Sequence, residues 1–380
     1  MRVMIDYTSA IAQGAGIGRY TRSLVDALAR VDGETDYTLF SVERPTPARG
    51  FPSAGAAPNM RPRLFPVGNR AATIAWQRLR LPAPVELVAG AARVFHGPDF
   101  TLPPTLVARR VVTIHDLAFL THPELAFPKL AAYLQAVVPR TVRSARRVIA
   151  VSQRTADDLV AHLGTSPEKI SVIPLGVDPS VHRIADPVRI AELEARLGLR
   201  HPFILAVSTI EPRKNYERLI AAFARATQAP DGPRMLAIAG RKGWLYDGVF
   251  EAARRSTVQD RINFLDFVAD ADLPTLYTAA DALAMPSIYE GFGIPVIEAM
   301  ACGTPVVCSD GGALPEVAGD AALIVAPDDV EGLASALIRI VAYPALREEL
   351  RQRGLERAQR FTWDTAARAT ADVYRAVAAK

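Results

Sequence analysis

Short apolar runs alternate with amphipathic stretches along nearly the whole chain. In the first half the runs RVMIDY, YTLFSV, RLFPV, RVFHGP, RVVTIHD, RVIAVS and ISVIPLG read as buried strands separated by helical spacing of apolar residues. A proline-broken, charged connector, GVDPSVHRIADPVRIAELEARLGLRHP, then interrupts the pattern, and a second series follows: FILAVST, MLAIAG, INFLDF, ALAMPS, PVVCSD and ALIVAP. Strands alternating with helices predict parallel α/β units. We expect two doubly wound, Rossmann-like domains facing a cleft, over residues 1–180 and 181–360. A C-terminal helix over 361–380 is free to pack back on either.

In open α/β sheets ligands sit beyond the carboxyl ends of the strands. Unusual polar residues follow those ends here: Asp6 and Tyr7, His96, His115 and Asp116, Glu211 to Asn215, and Glu290. The chain has 380 residues, half of them apolar and 22% charged, as in a soluble enzyme. No apolar run approaches the ~20 residues that span a bilayer, and the N-terminus lacks the pattern of a secretion signal. Cys302 and Cys308 are the only cysteines, which argues against a disulfide framework or a zinc cage and for the cytoplasm. Residues 1–185 carry 22 Lys or Arg against 14 Asp or Glu, and the remainder 22 against 26. The excess, which includes Arg61, Arg63, Arg70, Arg78, Arg80, Arg143, Arg146 and Arg147, suits either a solvated surface or a face that meets anionic lipid. No aromatic-rich or helix-turn-helix pattern accompanies it, so nucleic acid is not expected as a partner.

Three constellations carry chemistry. Gly14, Gly16 and Gly18 precede an amphipathic helix, where backbone amides can approach an anion; the spacing does not match the dinucleotide fingerprint. In STIEPRKNYERLI, Arg213 and Lys214 stand side by side at a helix start with Asn215 as a cap, and two such cations repel unless an anion joins them. In YEGFGIPVIEAM, Pro295 suits a first helical turn, so a helix is expected from about Ile294. Glu290 then lies in the loop before it and Glu298 within it, with the Gly291, Phe292 and Gly293 amides between. Carboxylate, amide-lined anion site, carboxylate is an order that fits sugar, diphosphate and ribose. Asp270 and Asp272 imitate a metal-binding D-x-D, but Asp272 reads as an N-cap before Pro274. His96 and His115 lack metal-ligand partners at suitable spacing, so no metal or cofactor is expected.

These stretches, with TIHDL, AVSQRTADDL, IPLGVD and ACGTPVVCSDGGALPEV, resemble the retaining glycosyltransferases of the GT-B fold, specifically glycosyltransferase family 4, over nearly the whole chain. The resemblance implies that Glu298 holds the donor ribose and Glu290 the transferred sugar, near the Gly291–Gly293 amides. It implies that Arg213 and Lys214 neutralise the leaving diphosphate, that His115 faces the sugar, and that Gly16 lines the diphosphate side. Val268 and the RKGW segment are similar to the base-binding region, and no acceptor residue is implied. STIEPRKNYERLI and HGPDFTLPP resemble bacterial mannosyltransferases of polysaccharide assembly, so GDP-mannose is the favoured donor and a UDP-sugar such as UDP-glucose the alternative. A saccharide or lipid-linked saccharide is the expected acceptor, at the inner face of a cytoplasmic membrane. Front-face substitution with retained configuration and no metal is the expected mechanism. Glu298→Ala and Lys214→Ala are expected to cripple transfer and leave the fold intact. A nicotinamide dehydrogenase, with Glu34 or Asp36 as its acidic residue, and a non-catalytic nucleotide-sugar binder are the rivals from other classes.

Overall fold

The computed structural model describes residues 1–14, 16–53 and 57–379. Two compact units divide the chain: Met1–Leu120 with Lys129–Gly176 and Thr362–Lys380, and Thr121–Pro128 with Val177–Phe361. Lys380, the last residue of the expected C-terminal segment, lies outside the described residues.

The first unit holds strands β1 (Arg2–Asp6), β2 (Asp36–Ser41), β3 (Met60–Leu64), β4 (Val94–Gly97), β5 (Arg109–Ile114), β6 (Arg147–Ala150) and β7 (Ile170–Val172). They form one parallel sheet in the order β3-β2-β1-β4-β5-β6-β7. The second unit holds β8 (Phe203–Val207), β9 (Met235–Ala239), β10 (Ile262–Asp266), β11 (Ala282–Met285), β12 (Val306–Ser309) and β13 (Ala322–Val325). These are also parallel, in the order β10-β9-β8-β11-β12-β13. Strands such as β9 and β11 are buried at every residue, which is why they appear as unbroken apolar runs. Strand order reverses between β1 and β4 in the first unit and between β8 and β11 in the second. Those two switch points are where crevices open in doubly wound sheets.

The third strand departs from expectation. It spans Met60–Leu64 rather than the RLFPV run, and contains Pro62. As the edge of its sheet it tolerates a residue that cannot donate to the ladder.

Helix α1 (Ile17–Val31) follows β1 after a five-residue helix, Thr8–Ala12. Others used below are α2 (Pro128–Ser144), α3 (Gln153–Leu163), α4 (Pro187–Leu197), α5 (Tyr216–Ala226), α6 (Ile294–Ala301) and α7 (Trp363–Ala379). The last helix buries Trp363, Ala367, Thr370, Tyr374 and Val377, a stripe at helical spacing. It packs against α1, so the chain returns to its first unit. The short excursion 121–128 belongs to the second unit, where the Trp244 indole donates to Leu125 O at 3.0 Å and the His122 ring lies 5.5 Å from Tyr289. Among the described residues no helix is long and apolar enough to cross a membrane.

The start of β8 is fixed electrostatically. His201 bonds Asp281 at 2.7 Å and Glu194 of α4 at 2.8 Å. The Asp281 bond leads in pushing its pKa up to about 9, with burial opposing and Glu194 adding. A raised folded pKa stabilises fully below the unfolded value near 6.5 and is lost as pH rises through about 9. The ring is nearly half exposed, so the expected contribution is at most ~1 kcal/mol. The resistance of wild type to denaturation should weaken between pH 6.5 and 9, and His201→Ala should lose that component of the pH dependence. Identical pH profiles for the two proteins would refute the assignment.

Candidate active site

The switch point of the second unit gathers four charges. Beyond β8 a short 3-10 turn, Pro212–Lys214, carries Arg213 and Lys214, with Glu211 just before it; beyond β11 comes Glu290. Lys214 Nζ meets Glu290 Oε1 at 2.5 Å and Arg213 Nη1 meets Glu290 Oε2 at 3.0 Å. Arg213 also holds Glu211 at 2.8 Å and donates to Tyr289 O at 2.8 Å. Glu211, Lys214 and Glu290 are at most 9% exposed. Burial alone would raise the Glu290 pKa, but Arg213 and Lys214 overcome it and hold the carboxyl at about 2. Glu211 moves the other way: burial raises it, and Arg213 and Lys214 offset that in part. Two carboxylates balance two cations, so the adjacent cations do not by themselves require an exogenous anion, contrary to the expectation from sequence. A Glu290 carboxyl held this low is ionised at neutral pH and cannot serve as a general acid.

The loop that carries Glu290 is clamped by the loop after β12. Ala313 N donates to Glu290 O at 2.8 Å, Ser309 Oγ donates to Ser287 O, and Ile288 N donates to Arg213 O at 2.8 Å. Gly312, at φ +69°, allows the close approach: a Cβ there would lie 2.2 Å from Glu290 O. Helix α6 then begins at Ile294 as expected, with Pro295 in its first turn and Gly293 at the N-cap. Gly291, Phe292 and Gly293 are buried, and among the described residues their amides meet no protein acceptor. Buried backbone donors are ordinarily paired, so this loop can receive an anion at a helix N-terminus.

Glu298 lies in α6, 2% exposed, and its Oε2 accepts from the Tyr277 hydroxyl at 3.0 Å. Lys214 and Glu298 are therefore buried and bonded. The expectation that replacing them by alanine leaves the fold untouched fails for that reason. Val268 follows β10, two strands from the switch point and half buried. In the RKGW segment the Trp244 indole is engaged with Leu125, and Arg241 stacks on the exposed Phe267, 4.2 Å from its centroid.

In the first unit Gly16 takes φ +57° at the N-cap of α1, a conformation that side chains disfavour. His115 follows β5, and its Nε2 lies 2.8 Å from Pro98 O, beyond β4. A carbonyl only accepts, so Nε2 carries the proton and Nδ1 the lone pair in the neutral ring. Burial lowers the His115 pKa against the Pro98 bond and Asp116, which favours that neutral form. Its ring stands edge-on to Tyr20 at 4.7 Å. Behind it runs a buried chain: Tyr20 OH to Thr113 Oγ1 at 3.0 Å, Thr113 to His96 Nε2 at 2.8 Å, His96 Nδ1 to Tyr374 OH at 2.6 Å. Burial, then His115, pushes the His96 pKa down to about 3, and the ring is a structural link in this chain. At the switch point itself Gln13 Nε2 donates to Asp99 Oδ2 at 3.1 Å. Burial, then Asp6, pushes the Asp99 carboxyl up to about 6, and Gln13 opposes.

Several polar residues behave otherwise than sequence suggested. Asn215 precedes α5 in a left-handed conformation with no capping bond; its amide ties Pro286 O at 2.9 Å and Pro327 O at 2.6 Å, joining two loops. Asp272 stands at its expected N-cap position but makes no capping bond, because Arg196 holds it at 2.6 Å. Among the described residues no three His, Cys, Asp or Glu side chains converge as metal ligands. Asp99, Gln13, Tyr20 and Tyr277 escaped sequence reading, since single polar residues in apolar runs resemble ordinary core positions. For Asp99 the HGPD run beyond a strand was a usable signal.

Two parallel doubly wound units, with charged loops at a switch point, define the GT-B class of glycosyltransferase. Residues 14–181 match the profile of Glycosyltransferase Family 4, and residues 192–357 that of Glycosyl transferases group 1. The O-antigen chain mannosyltransferase B of Escherichia coli is 32% identical over 282 residues, 74% of each chain. A D-inositol 3-phosphate glycosyltransferase of Segniliparus rotundus is 33% identical over 274 residues, 70% of this chain and 60% of that one. Sucrose-phosphate synthase of Thermosynechococcus elongatus has a similar structure, with TM-score 0.79 and 23% identity over 100% of this chain and 99% of that one. The chain belongs to glycosyltransferase family 4.

Proposed function

We propose that the protein transfers mannose from GDP-mannose, with retained configuration and no metal, to a saccharide or lipid-linked saccharide acceptor in surface polysaccharide assembly. The observation that carries this reading is the Arg213–Lys214–Glu290 cluster beside the Gly291–Gly293 amides. A donor diphosphate draws Arg213 and Lys214 off Glu290 and takes the loop amides. Glu290, still ionised, then turns to the hydroxyls of the transferred sugar. Glu298 takes the ribose, Gly16 lines the diphosphate side and Val268 the base. In the first unit, neutral His115 offers Nδ1 to a sugar hydroxyl. The acceptor oxygen bonds the anomeric carbon on the face the leaving group quits. The bond from that carbon to the diphosphate oxygen breaks, and the acceptor proton passes to the departing diphosphate. Cations and a helix terminus stabilise that charge, which leaves a divalent ion redundant.

The name of the E. coli relative supports mannose, and a UDP-sugar is the alternative donor. Attachment to an anionic membrane surface is supported by exposed apolar residues of the first unit, among them Leu79, Leu81, Leu87 and Val88, near the basic run Arg61–Arg80. A binding screen of nucleotide sugars on the full chain, followed by transfer assays with and without EDTA, tests the proposal. GDP-mannose should bind most tightly and EDTA should leave turnover unchanged. Tightest binding to a UDP-sugar overturns the donor, and manganese-restorable loss in EDTA overturns the metal-free mechanism.

A further inference from the structure

The basic residues of the first unit are not one face. Arg61 and Arg63 lie on β3, at one edge of the sheet; Arg109 and Arg110 open β5, and Arg147 opens β6, near the other. The latter group sits at the amino ends of the strands. From Arg109 to Ile114, just before His115, β5 spans roughly 16 Å at ~3.3 Å per residue.

At that amino end is a cavity of about 560 Å³, lined by Arg143, Arg146, Arg147, Lys169, Glu168 and small residues that include Ala145 and Val377. Its size falls in the range of small-molecule sites. Among the described residues none of Arg110, Arg143, Arg146, Arg147 and Lys169 forms an ion pair with a carboxylate. Their bonds go to carbonyls: Lys169 to Arg143 O at 2.9 Å, Arg143 to Pro139 O at 3.2 Å, and Arg147 to Glu168 O. Elsewhere on the surface arginines do find carboxylates, as Arg353 finds Glu349 and Arg225 finds Glu331. The C-terminal end of α7 occupies Arg109, through Val377 O at 2.7 Å, and Arg93, through Ala378 O at 2.8 Å. It leaves the others uncompensated. Burial, then Arg110 and Arg146, lower the Lys169 pKa, as like charges without a counterion should.

We propose that this cavity is a second ligand site, distinct from the switch-point cluster, that takes a phosphate or diphosphate group on a lipid headgroup or a small soluble molecule. Guanidinium forks match phosphate oxygens, and the small apolar lining accommodates the uncharged part of the ligand. The site stands apart from the transfer reaction, so an inactive enzyme that keeps it would refute the proposed function and leave this one.

Calorimetric titration of the full chain with inorganic pyrophosphate tests it. Wild type should show a saturable site that persists in Lys214→Met, which disables the switch-point cluster, and in Arg63→Ala, at the opposite sheet edge. The pair Arg146→Ala and Lys169→Met should weaken this site at least tenfold with circular dichroism unchanged, because Arg146 has no side-chain partner to lose and Lys169 loses one exposed bond, to Arg143 O. An isotherm unaffected by that pair, or no saturable site in Lys214→Met, overturns the proposal. Vesicles of phosphatidylcholine with and without phosphatidylglycerol then separate the sources. Anionic-vesicle binding lost in the pair identifies a lipid headgroup. Vesicle binding equal in wild type and the pair, with the pyrophosphate site lost, identifies a soluble phosphorylated ligand.

Discussion

Lys214→Met should lower turnover about 100-fold or more, the usual loss when one preorganised stabiliser of a leaving group is removed. The same substitution should weaken the second unit, because Glu290 stays buried with one cation instead of two. Breaking a buried pair costs on the order of 3 kcal/mol. A pH signature separates these effects from general damage. In wild type the Glu290 pKa is depressed to about 2 from 4.5, so its stabilisation is present above pH 4.5 and lost as pH falls through about 2. Without Lys214 burial is less opposed, the folded pKa rises, and the acid-labile component shrinks. Adding Glu290→Gln removes the stranded charge and should return part of the stability without returning activity, a coupling a double-mutant cycle reads directly. Turnover within threefold of wild type in a folded Lys214→Met enzyme would remove Lys214 from catalysis.

Apart from the exposed edge strand β3, strand positions and the start of α6 were legible in sequence because each depends on a local rule: unbroken apolar runs for doubly buried strands, and proline in a first helical turn. Of the candidate site, Arg213, Lys214 and Glu290 were legible as residues that the structure brings together, but not the bonds between them. Adjacent Arg213 and Lys214 announce a need for negative charge; that Glu290, 76 positions away, supplies it depends on the β8–β11 adjacency, which only the strand order gives. Asn215 shows the same limit. Its type suggests a cap, but the nearby Pro286 and Pro327 carbonyls take its amide, and they arrive from distant loops. His96 could be dismissed as a metal ligand from sequence, yet its link to Tyr374 rests on the last helix returning to the first unit.

Glu298→Gln should lower donor kcat/KM by about 10- to 100-fold, the equivalent of a charge-assisted hydrogen bond worth ~1.5–3 kcal/mol. Glutamine keeps the shape of the side chain and can still accept from Tyr277, whose hydroxyl lies 3.0 Å from Glu298 Oε2, so the fold should hold. Alanine is the poorer probe, because it leaves a buried tyrosine hydroxyl without its partner in α6, at a cost of ~1–3 kcal/mol. The decisive comparison uses the donor and its 2′-deoxy and 3′-deoxy ribose analogues. A carboxylate that accepts from a ribose hydroxyl makes wild type discriminate against the analogue lacking it. Glu298→Gln then loses most of that discrimination while its response to changes in the sugar stays as in wild type. If Glu298 serves only to anchor Tyr277, both proteins discriminate equally and differ in thermal stability alone. Equal discrimination would therefore move the ribose to another residue and leave α6 with a structural carboxylate.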